Sequence, residues 1–180
     1  MSEELEVIKE VTQRLDKARI AYAISGSIAA NYYTEPRMTR DIDVVVEMKA
    51  EDVERFSGLF RDDFFIDQDM VADEVEKRGM FNLIHNKYVL KIDFILRKES
   101  LWQETMFRRR KQVILGRVPI WLISSEDLIL VKMLWAKDSL SELQLKDVRN
   151  LFKSVSALDQ AYLKKWVGDL DLKKIFDKVQ

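Results

Sequence analysis

The sequence has 180 residues, 47% of them hydrophobic, so it can bury a sizeable core in one domain or in one domain with a packed helical extension. It has no cysteine and one histidine, which excludes disulfides, thiolate metal sites and cysteine nucleophiles and leaves hard oxygen atoms as metal ligands. Residues 1–96 contain 13 Lys and Arg against 20 Asp and Glu, whereas residues 97–180 contain 17 against 11. An acidic half that attracts cations and a basic half that holds a polyanion would fit a nucleotide or RNA ligand, and scattered solvated charge explains the asymmetry equally well.

No apolar run approaches the roughly 20 residues that a membrane-spanning helix needs. The first residues, Met1-Ser2-Glu3-Glu4, are acidic and do not resemble a targeting segment. We therefore expect a cytoplasmic protein with no membrane partner.

The first hundred residues alternate between helical and strand patterns. Apolar residues at helical spacing predict a helix over residues 3–17, and the apolar run 21–25 predicts a strand that stops at a tight turn. Residues 28–33 form the next predicted helix, and residues 41–46 are a buried strand. The later segments are an amphipathic helix, a brief strand, a charged helix and two strands joined by a tight turn at Asn86-Lys87; they span residues 51–60, 64–66, 69–78, 81–85 and 88–96.

The pattern changes from strand to helix near residue 123. Residues 113–123 predict a strand pair around Gly116, and Pro119 favours an edge position for its strand. Serine-led capping boxes then precede two of four predicted helices, which span residues 128–136, 143–152, 159–167 and 172–179. The predicted fold class is α+β: a mixed sheet flanked by helices over residues 1–123, followed by a C-terminal helical region, residues 124–180, packed on that core.

Three aspartates form the most informative pattern. Side chains alternate along a strand, so Asp41 and Asp43 point to one face while Ile42 and Val44 point to the other. Asp93 lies in another strand-like run and completes an acidic cluster if the two strands are neighbours. Carboxylates at such short distances repel one another, and a bound divalent ion relieves the repulsion.

A possible phosphate site precedes this strand. Gly26 and Ser27 lie where a strand enters a helix, and backbone N–H groups at a helix start favour phosphate oxygens. The dipeptide alone is typical of ordinary turns, so its meaning depends on the aspartates that follow it.

Together these residues resemble the DNA polymerase β-like nucleotidyltransferase superfamily. The resemblance rests on Ile24-Ser25-Gly26-Ser27, Thr39-Arg40-Asp41-Ile42-Asp43-Val44 and Lys91-Ile92-Asp93-Phe94, and it covers about the first hundred residues. It implies a nucleoside triphosphate (NTP) substrate whose phosphates are held by Gly26 and Ser27. It also implies that Asp41, Asp43 and Asp93 bind two Mg²⁺ ions, for which Mn²⁺ can substitute, and that Asp93 helps to activate the acceptor hydroxyl.

A second pattern lies in the C-terminal half. Lys132 shares a helix face with Leu128 and Trp135, and Asp147 lies between Leu143 and Leu151 on the next helix. This inward pair is typical of a buried salt bridge. It is also similar to the lysine and aspartate that line the cleft of AbiEii-type abortive-infection toxins, which implies that Lys132 contacts the triphosphate and that Asp147 orients it or binds the acceptor.

Several basic residues are weaker candidates. Arg37 and Arg40 flank the turn before Asp41 and could reach a nucleotide phosphate, or could simply keep a loop soluble. The cluster of residues 108–111, Arg-Arg-Arg-Lys, could contact an RNA backbone or be ordinary surface charge. Packing in the core is the better interpretation for most of the four tryptophans.

The predicted activity is a Mg²⁺-dependent transfer of NMP from an NTP to a hydroxyl acceptor with release of pyrophosphate. A tRNA or another macromolecule is the favoured acceptor, in a toxin-antitoxin or phage-defence role with a cognate toxin or antitoxin, which could itself be the protein that is modified. The resemblance leaves two alternatives open: a small-molecule enzyme of the antibiotic-modifying type, and a non-catalytic binding partner with the same fold.

Overall fold

The computed structural model describes residues 2–39, 41–139 and 141–179, and this part of the chain contains one seven-stranded sheet and nine α-helices. The strands are β1 (Tyr22–Ile24), β2 (Asp41–Val46), β3 (Phe64–Phe65), β4 (Met80–His85), β5 (Lys91–Leu96), β6 (Lys111–Leu115) and β7 (Val118–Leu122). The helices are α1 (Glu3–Lys17), α2 (Gly26–Tyr33), α3 (Val53–Phe60), α4 (Gln68–Lys77), α5 (Leu101–Arg108), α6 (Ser125–Ser139), α7 (Glu142–Ser154), α8 (Gln160–Asp169) and α9 (Lys173–Val179), with a 3₁₀ turn at Ala50–Asp52.

The sheet is mixed, with the strand order β3-β4-β5-β2-β1-β7-β6. Strand β2 lies at its centre, parallel to β5 and antiparallel to β1. Strand β1 is parallel to β7, and the remaining neighbours are antiparallel. The predicted fold class, a mixed sheet flanked by helices, is therefore confirmed.

The two faces of the β4–β5–β2 part of the sheet differ in chemistry. One face is an aromatic core, in which the Phe56 ring of α3 packs edge-on to Phe81 and Phe94, at centroid distances of 5.4 and 5.1 Å. Paired residues point to the same side of a sheet, so the register sets out three rows on the opposite face. We call them the lysine row (Ile84, Lys91, Asp41), the acidic row (Asn82, Asp93, Asp43) and the apolar row (Met80, Ile95, Val45).

The C-terminal helices pack next to the rows through α2, which lies on β2 and contacts α6 and α7. Helix α6 starts where the Ser124 hydroxyl accepts a hydrogen bond from the Asp127 N–H at 3.2 Å, in agreement with the predicted cap. All secondary structure described after Leu122 is helical. The division into domains at residue 123 stays a prediction. Within the described residues no helix is long and apolar enough to cross a membrane.

Two local predictions differ from the structure, one of them only in part. Strands β4 and β5 are joined by residues 86–90 and not by a two-residue turn, because the His85 Nδ1 accepts hydrogen bonds from the Lys87 and Tyr88 N–H groups and so supports a longer loop. Pro119 lies in β7, which is not an edge strand of the sheet as a whole. The register of β1 with β7 pairs only Ile24 with Leu122, so at Pro119 the strand is paired with β6 alone. The proline itself therefore has the predicted edge position, and its missing N–H breaks no ladder.

Candidate active site

The acidic row brings two of the predicted carboxylates side by side. Asp43 of β2 pairs directly with Asp93 of β5, and Asp41 lies two residues earlier on the same face. Asp93 is buried, Asp43 is half-buried and Asp41 is exposed. Burial, and then the neighbouring Asp93 charge, raise the pKa of Asp43 above its ordinary value. The parallel pairing that the prediction required is thus present.

Asp43 differs from Asp93 in its partners. Within the described residues its carboxylate makes no hydrogen bond and no ion pair, whereas Asp93 is paired with a lysine. A half-buried carboxylate without a partner is costly unless a cation or another donor reaches it.

The backbone of Gly26 lies directly against this carboxylate. It begins α2 with a φ of +58°, and a Cβ at this position would lie 1.7 Å from Asp43 Oδ2. Just before it, the Ser25 N–H donates to the Asp43 backbone carbonyl at 2.9 Å and ties the helix start to β2. Only glycine satisfies both the left-handed backbone and the close approach. The N-terminus of α2, with its unpaired N–H groups, therefore lies against the acidic row.

A lysine side chain lies between the carboxylates of Asp41 and Asp93. Lys91 Nζ is 2.8 Å from Asp93 Oδ2 and 3.8 Å from Asp41 Oδ1. The hydrogen bond to Asp93 raises the pKa of Lys91, so this ammonium group is charged at neutral pH. In the described part of the chain no three His, Cys, Asp or Glu side chains stand together as a metal-binding group. The assignment of Asp41, Asp43 and Asp93 as joint metal ligands stays a prediction.

A second wall faces the sheet and is built from α6 and α7. Lys132 is almost fully buried, and its Nζ donates to Asp147 Oδ2 at 2.8 Å and to Gln144 Oε1 at 3.1 Å. Asp147 also accepts two hydrogen bonds from the Arg37 guanidinium, at 3.2 and 3.0 Å. Burial opposes ionisation of Asp147, but the hydrogen bonds from Arg37 and Lys132 outweigh it and hold its pKa below the ordinary value.

Arg37 joins the two walls. Its Nη2 donates to the Ser27 hydroxyl at 2.9 Å while the guanidinium holds Asp147, so Ser27, Arg37, Asp147 and Lys132 form one continuous network. Arg37 is thus held in this network and is not free in a soluble loop, and its contact with a nucleotide phosphate stays a prediction. Gln144 was not identified from the sequence; it lies three residues before Asp147 on the same helix face. Arg40, the predicted nucleotide contact, lies outside the described residues.

The two walls enclose a cavity of about 290 Å³, which we call the acidic cavity. Its lining side chains come from Ser25, Gly26, Ser27, Asp43, Met80, Lys91, Asp93, Ile95, Val131, Lys132, Trp135 and Gln144. Four other pockets are larger. Those of about 480 and 540 Å³, beside α9 and beside α1, have no acidic side chain in their lining, and those of about 390 and 300 Å³ have acidic side chains but no buried lysine. The acidic cavity thus unites the predicted Gly26, Ser27, Asp43, Asp93 and Lys132, with Asp41 and Asp147 immediately outside the lining.

The predicted basic cluster of residues 108–111 does not form one free surface. Arg109 donates to Asp127 and Glu126, both at 3.2 Å, and its guanidinium stacks on the Tyr162 ring. The Arg110 guanidinium lies over aromatic rings of Phe107 and Trp121. Only the first and last residues of the cluster are exposed, so its middle two arginines serve the packing of the fold.

No protein-family model matches the chain, and no curated protein is similar to it in sequence. Among solved structures, the fold is similar to an antigenic nucleotidyltransferase-like protein from Paracoccidioides brasiliensis, with a TM-score of 0.60, 17% identity and coverage of 98% of this chain and 93% of that one. It is also similar to the lincosamide antibiotic adenylyltransferase LnuA with lincomycin bound (TM-score 0.57, 14% identity, 86% and 98% covered) and to the antibiotic-resistance factor ANT(2'')-Ia (TM-score 0.57, 12% identity, 93% and 95% covered). The chain therefore has a nucleotidyltransferase-like fold.

Proposed function

We propose that this protein is a Mg²⁺-dependent nucleotidyltransferase that transfers NMP from an NTP to a hydroxyl acceptor and releases pyrophosphate. The observation that carries the proposal is the Asp43 carboxylate, which has no hydrogen bond or ion pair among the described residues and lies beside Asp93 and against Gly26, in a cavity with a buried lysine on its other wall. The similarity of the fold to a lincosamide antibiotic adenylyltransferase and to an antibiotic-resistance factor supports the same class of reaction.

The residues present fit a divalent cation. Carboxylate oxygens are the ligands that Mg²⁺ and Mn²⁺ prefer, and Asp43 and Asp93 offer them at neighbouring positions, with Asp41 on the same face. The two ions that we propose at these oxygens would supply charge neutralisation on the triphosphate and activation of the acceptor hydroxyl. Lys91 must move aside from Asp93 when a cation binds there, and its half-exposed side chain has room to do so.

The other wall suits the triphosphate. Lys132 is held by Asp147 and Gln144, so its ammonium group is already positioned at the cavity and loses little conformational freedom when it contacts a phosphate. Free N–H groups at the start of α2 provide a second set of donors. Arg37 orients the Ser27 hydroxyl beside them, and its two hydrogen bonds to Asp147 keep that orientation fixed.

The acceptor reaches the cavity from outside. A cavity of about 290 Å³ lies just below the roughly 300–1,000 Å³ typical of small-ligand sites, so we assign it to the nucleotide and not to a macromolecular acceptor. On the β4 side the sheet face is open, with Met80, Asn82 and Ile84 exposed. We keep a tRNA 3′ end or another macromolecule, including a partner toxin or antitoxin, as the proposed acceptor at this open face.

Two other functions each have an observation in their favour. The fold is similar to that of a lincosamide adenylyltransferase, which favours a small-molecule acceptor. The Lys91 ammonium group between Asp41 and Asp93 favours a non-catalytic protein in which a lysine replaces the metal. Metal-dependent NTP binding separates the enzyme from the non-catalytic protein, and the fate of the label separates the acceptors.

The test is an incubation of the protein with each α-labelled NTP and Mg²⁺, in the presence of total RNA, an antibiotic panel or a protein lysate. We expect label in RNA or protein with the wild type and at least about a hundredfold less with Asp43→Asn, because loss of one metal-binding carboxylate removes several kcal/mol of transition-state stabilisation. Asp62→Asn is the matched control, since Asp62 is exposed and makes no hydrogen bond or ion pair in the described structure. Absence of both label and Mg²⁺-dependent NTP binding in the wild type would refute the proposal.

A further inference from the structure

Part of the lining of the acidic cavity is apolar, and the proposed chemistry does not use it. Val131 and Trp135 of α6 line the cavity together with Met80 and Ile95 of the apolar row. Trp135 is 47% exposed and Met80 is 45% exposed, so these two side chains form a surface that the protein itself does not cover.

Trp135 differs from the other tryptophans of the chain. Trp102 and Trp166 are buried in the core, and Trp121 lies under the Arg110 guanidinium. Core packing, the interpretation that the sequence favours for most of the four tryptophans, does not apply to Trp135, because its side chain is exposed and lines the cavity. A half-exposed tryptophan at the wall of a polar cavity loses hydrophobic stabilisation that a ligand can restore.

Its position relative to the phosphate-binding groups defines the ligand. Trp135 follows Lys132 by three residues on α6, so the two side chains share a helix face and are about 4.5 Å apart along the helix axis. The lining of the cavity therefore combines donors and carboxylates with an aromatic, apolar surface. A molecule with a planar ring attached to a phosphate chain matches both parts of this lining.

We propose that Trp135 stacks on the base of the bound NTP, with Met80 completing the apolar surface around the ring. This inference rests on the proposed function, because it assumes that an NTP occupies the acidic cavity. The apolar side chains offer faces for stacking and no hydrogen-bond acceptor, so base choice follows stacking area: purines bind more tightly than pyrimidines, without strict exclusion of any base.

Direct binding measurements test this subsite separately from catalysis. The probes are α,β-methylene-ATP, in which the bond that breaks during transfer is blocked, and inorganic tripolyphosphate, which has the phosphates and no base. Both are titrated with Mg²⁺ into the wild type and into Trp135→Ala. We expect Trp135→Ala to weaken binding of the ATP analogue about 5- to 100-fold, the range for loss of one base–aromatic stack, and to change tripolyphosphate binding by less than about twofold.

Two further variants sharpen the experiment. Trp135→Phe keeps an aromatic face and should retain most of the affinity, while tryptophan fluorescence that the ATP analogue quenches in the wild type should no longer change in this variant. Phe65→Ala removes an exposed aromatic side chain, 68% exposed, that does not line the cavity, and it should bind both probes as the wild type does.

Three results would overturn the inference. If Trp135→Ala binds the ATP analogue as tightly as the wild type, the base lies elsewhere and only the subsite is wrong. If it loses both probes equally, Trp135 supports the cavity and does not stack on the base. If the wild type binds neither probe, the proposed function fails together with the subsite.

Discussion

Gly26→Ala is the substitution whose effect the structure defines most closely. The new Cβ would lie 1.7 Å from Asp43 Oδ2, 2.5 Å from its Cγ and 2.9 Å from its Cβ, so β2 or α2 must shift. Alanine at a φ of +58° adds a backbone cost of about 1–2 kcal/mol, and overpacking adds about 1–3 kcal/mol. We therefore expect a loss of about 2–5 kcal/mol in the free energy of unfolding.

The measurement is thermal and urea unfolding of the purified variant. For a chain of this size each kcal/mol shifts Tm by about 2–4 °C, so Gly26→Ala should melt roughly 4–20 °C below the wild type. Gly168→Ala is the matched control: nothing lies within 4 Å of its new Cβ, and its φ is not positive. Because alanine favours helix over glycine, this control should melt at or slightly above the wild-type temperature.

A second substitution separates the two contributions. Asp43→Ala in the Gly26→Ala background removes the carboxylate atoms at 1.7 and 2.5 Å and leaves the backbone conformation unchanged. It should recover the overpacking part, about 1–3 kcal/mol, and leave the backbone part. If Gly26→Ala melts within about 2 °C of the wild type, or if removal of the carboxylate recovers nothing, the close approach of Gly26 to Asp43 is not what fixes this position.

The remaining predictions concern two charged side chains. Lys91→Met removes the ammonium group from Asp93 and should tighten Mg²⁺ binding, measured by calorimetry, about 2- to 5-fold, which is the value of one partly exposed ion pair. Lys87→Met, the control at an exposed lysine, should leave Mg²⁺ binding unchanged. Weaker Mg²⁺ binding in Lys91→Met would mean that the lysine assists the cation. Asp147 has a lowered pKa in the folded state, so the stability it contributes is present above its unfolded pKa and is lost as pH falls through the folded pKa. In urea unfolding, the free energy of unfolding of Asp147→Asn should therefore lie well below that of the wild type at neutral pH. The difference between the two should become smaller below about pH 4, and a difference that increased there would contradict the prediction.

Much of the fold follows from local sequence patterns. The alternation in residues 41–46 gave the central strand with its true bounds, because Ile42 and Val44 need an apolar core and the aspartates between them do not. The differences arose where a neighbour decides the outcome. Asn86-Lys87 predicts a tight turn until the His85 ring is known to accept two loop N–H groups. Pro119 indicates an edge position for its own residue and does not show that β1 pairs with the far end of the same strand, at Leu122.

The site was predictable in its parts and not in its connections. The sequence predicted that Asp93 would join Asp41 and Asp43 if their strands were neighbours, and the structure pairs Asp93 with Asp43. No local pattern indicates that Arg37 reaches Asp147, because the two residues are 110 positions apart and the contact depends on how α7 packs against the start of α2. The place of Lys91 between two carboxylates likewise needs the strand register, which sequence periodicity leaves open.

The balance of charge in the acidic cavity gives the strongest physical reason to expect a cation there. Lys132 and Arg37 both donate hydrogen bonds to Asp147, and Lys91 forms an ion pair with Asp93. Within the described residues this leaves Asp43 half-buried and without a hydrogen bond or ion pair, and burial and Asp93 raise its pKa by more than the charges of Lys132 and Lys91 lower it. An asparagine would have nearly the same shape and would avoid the cost of an unpaired charge. A carboxylate at this position therefore costs stability, and the divalent ion that we propose would restore it.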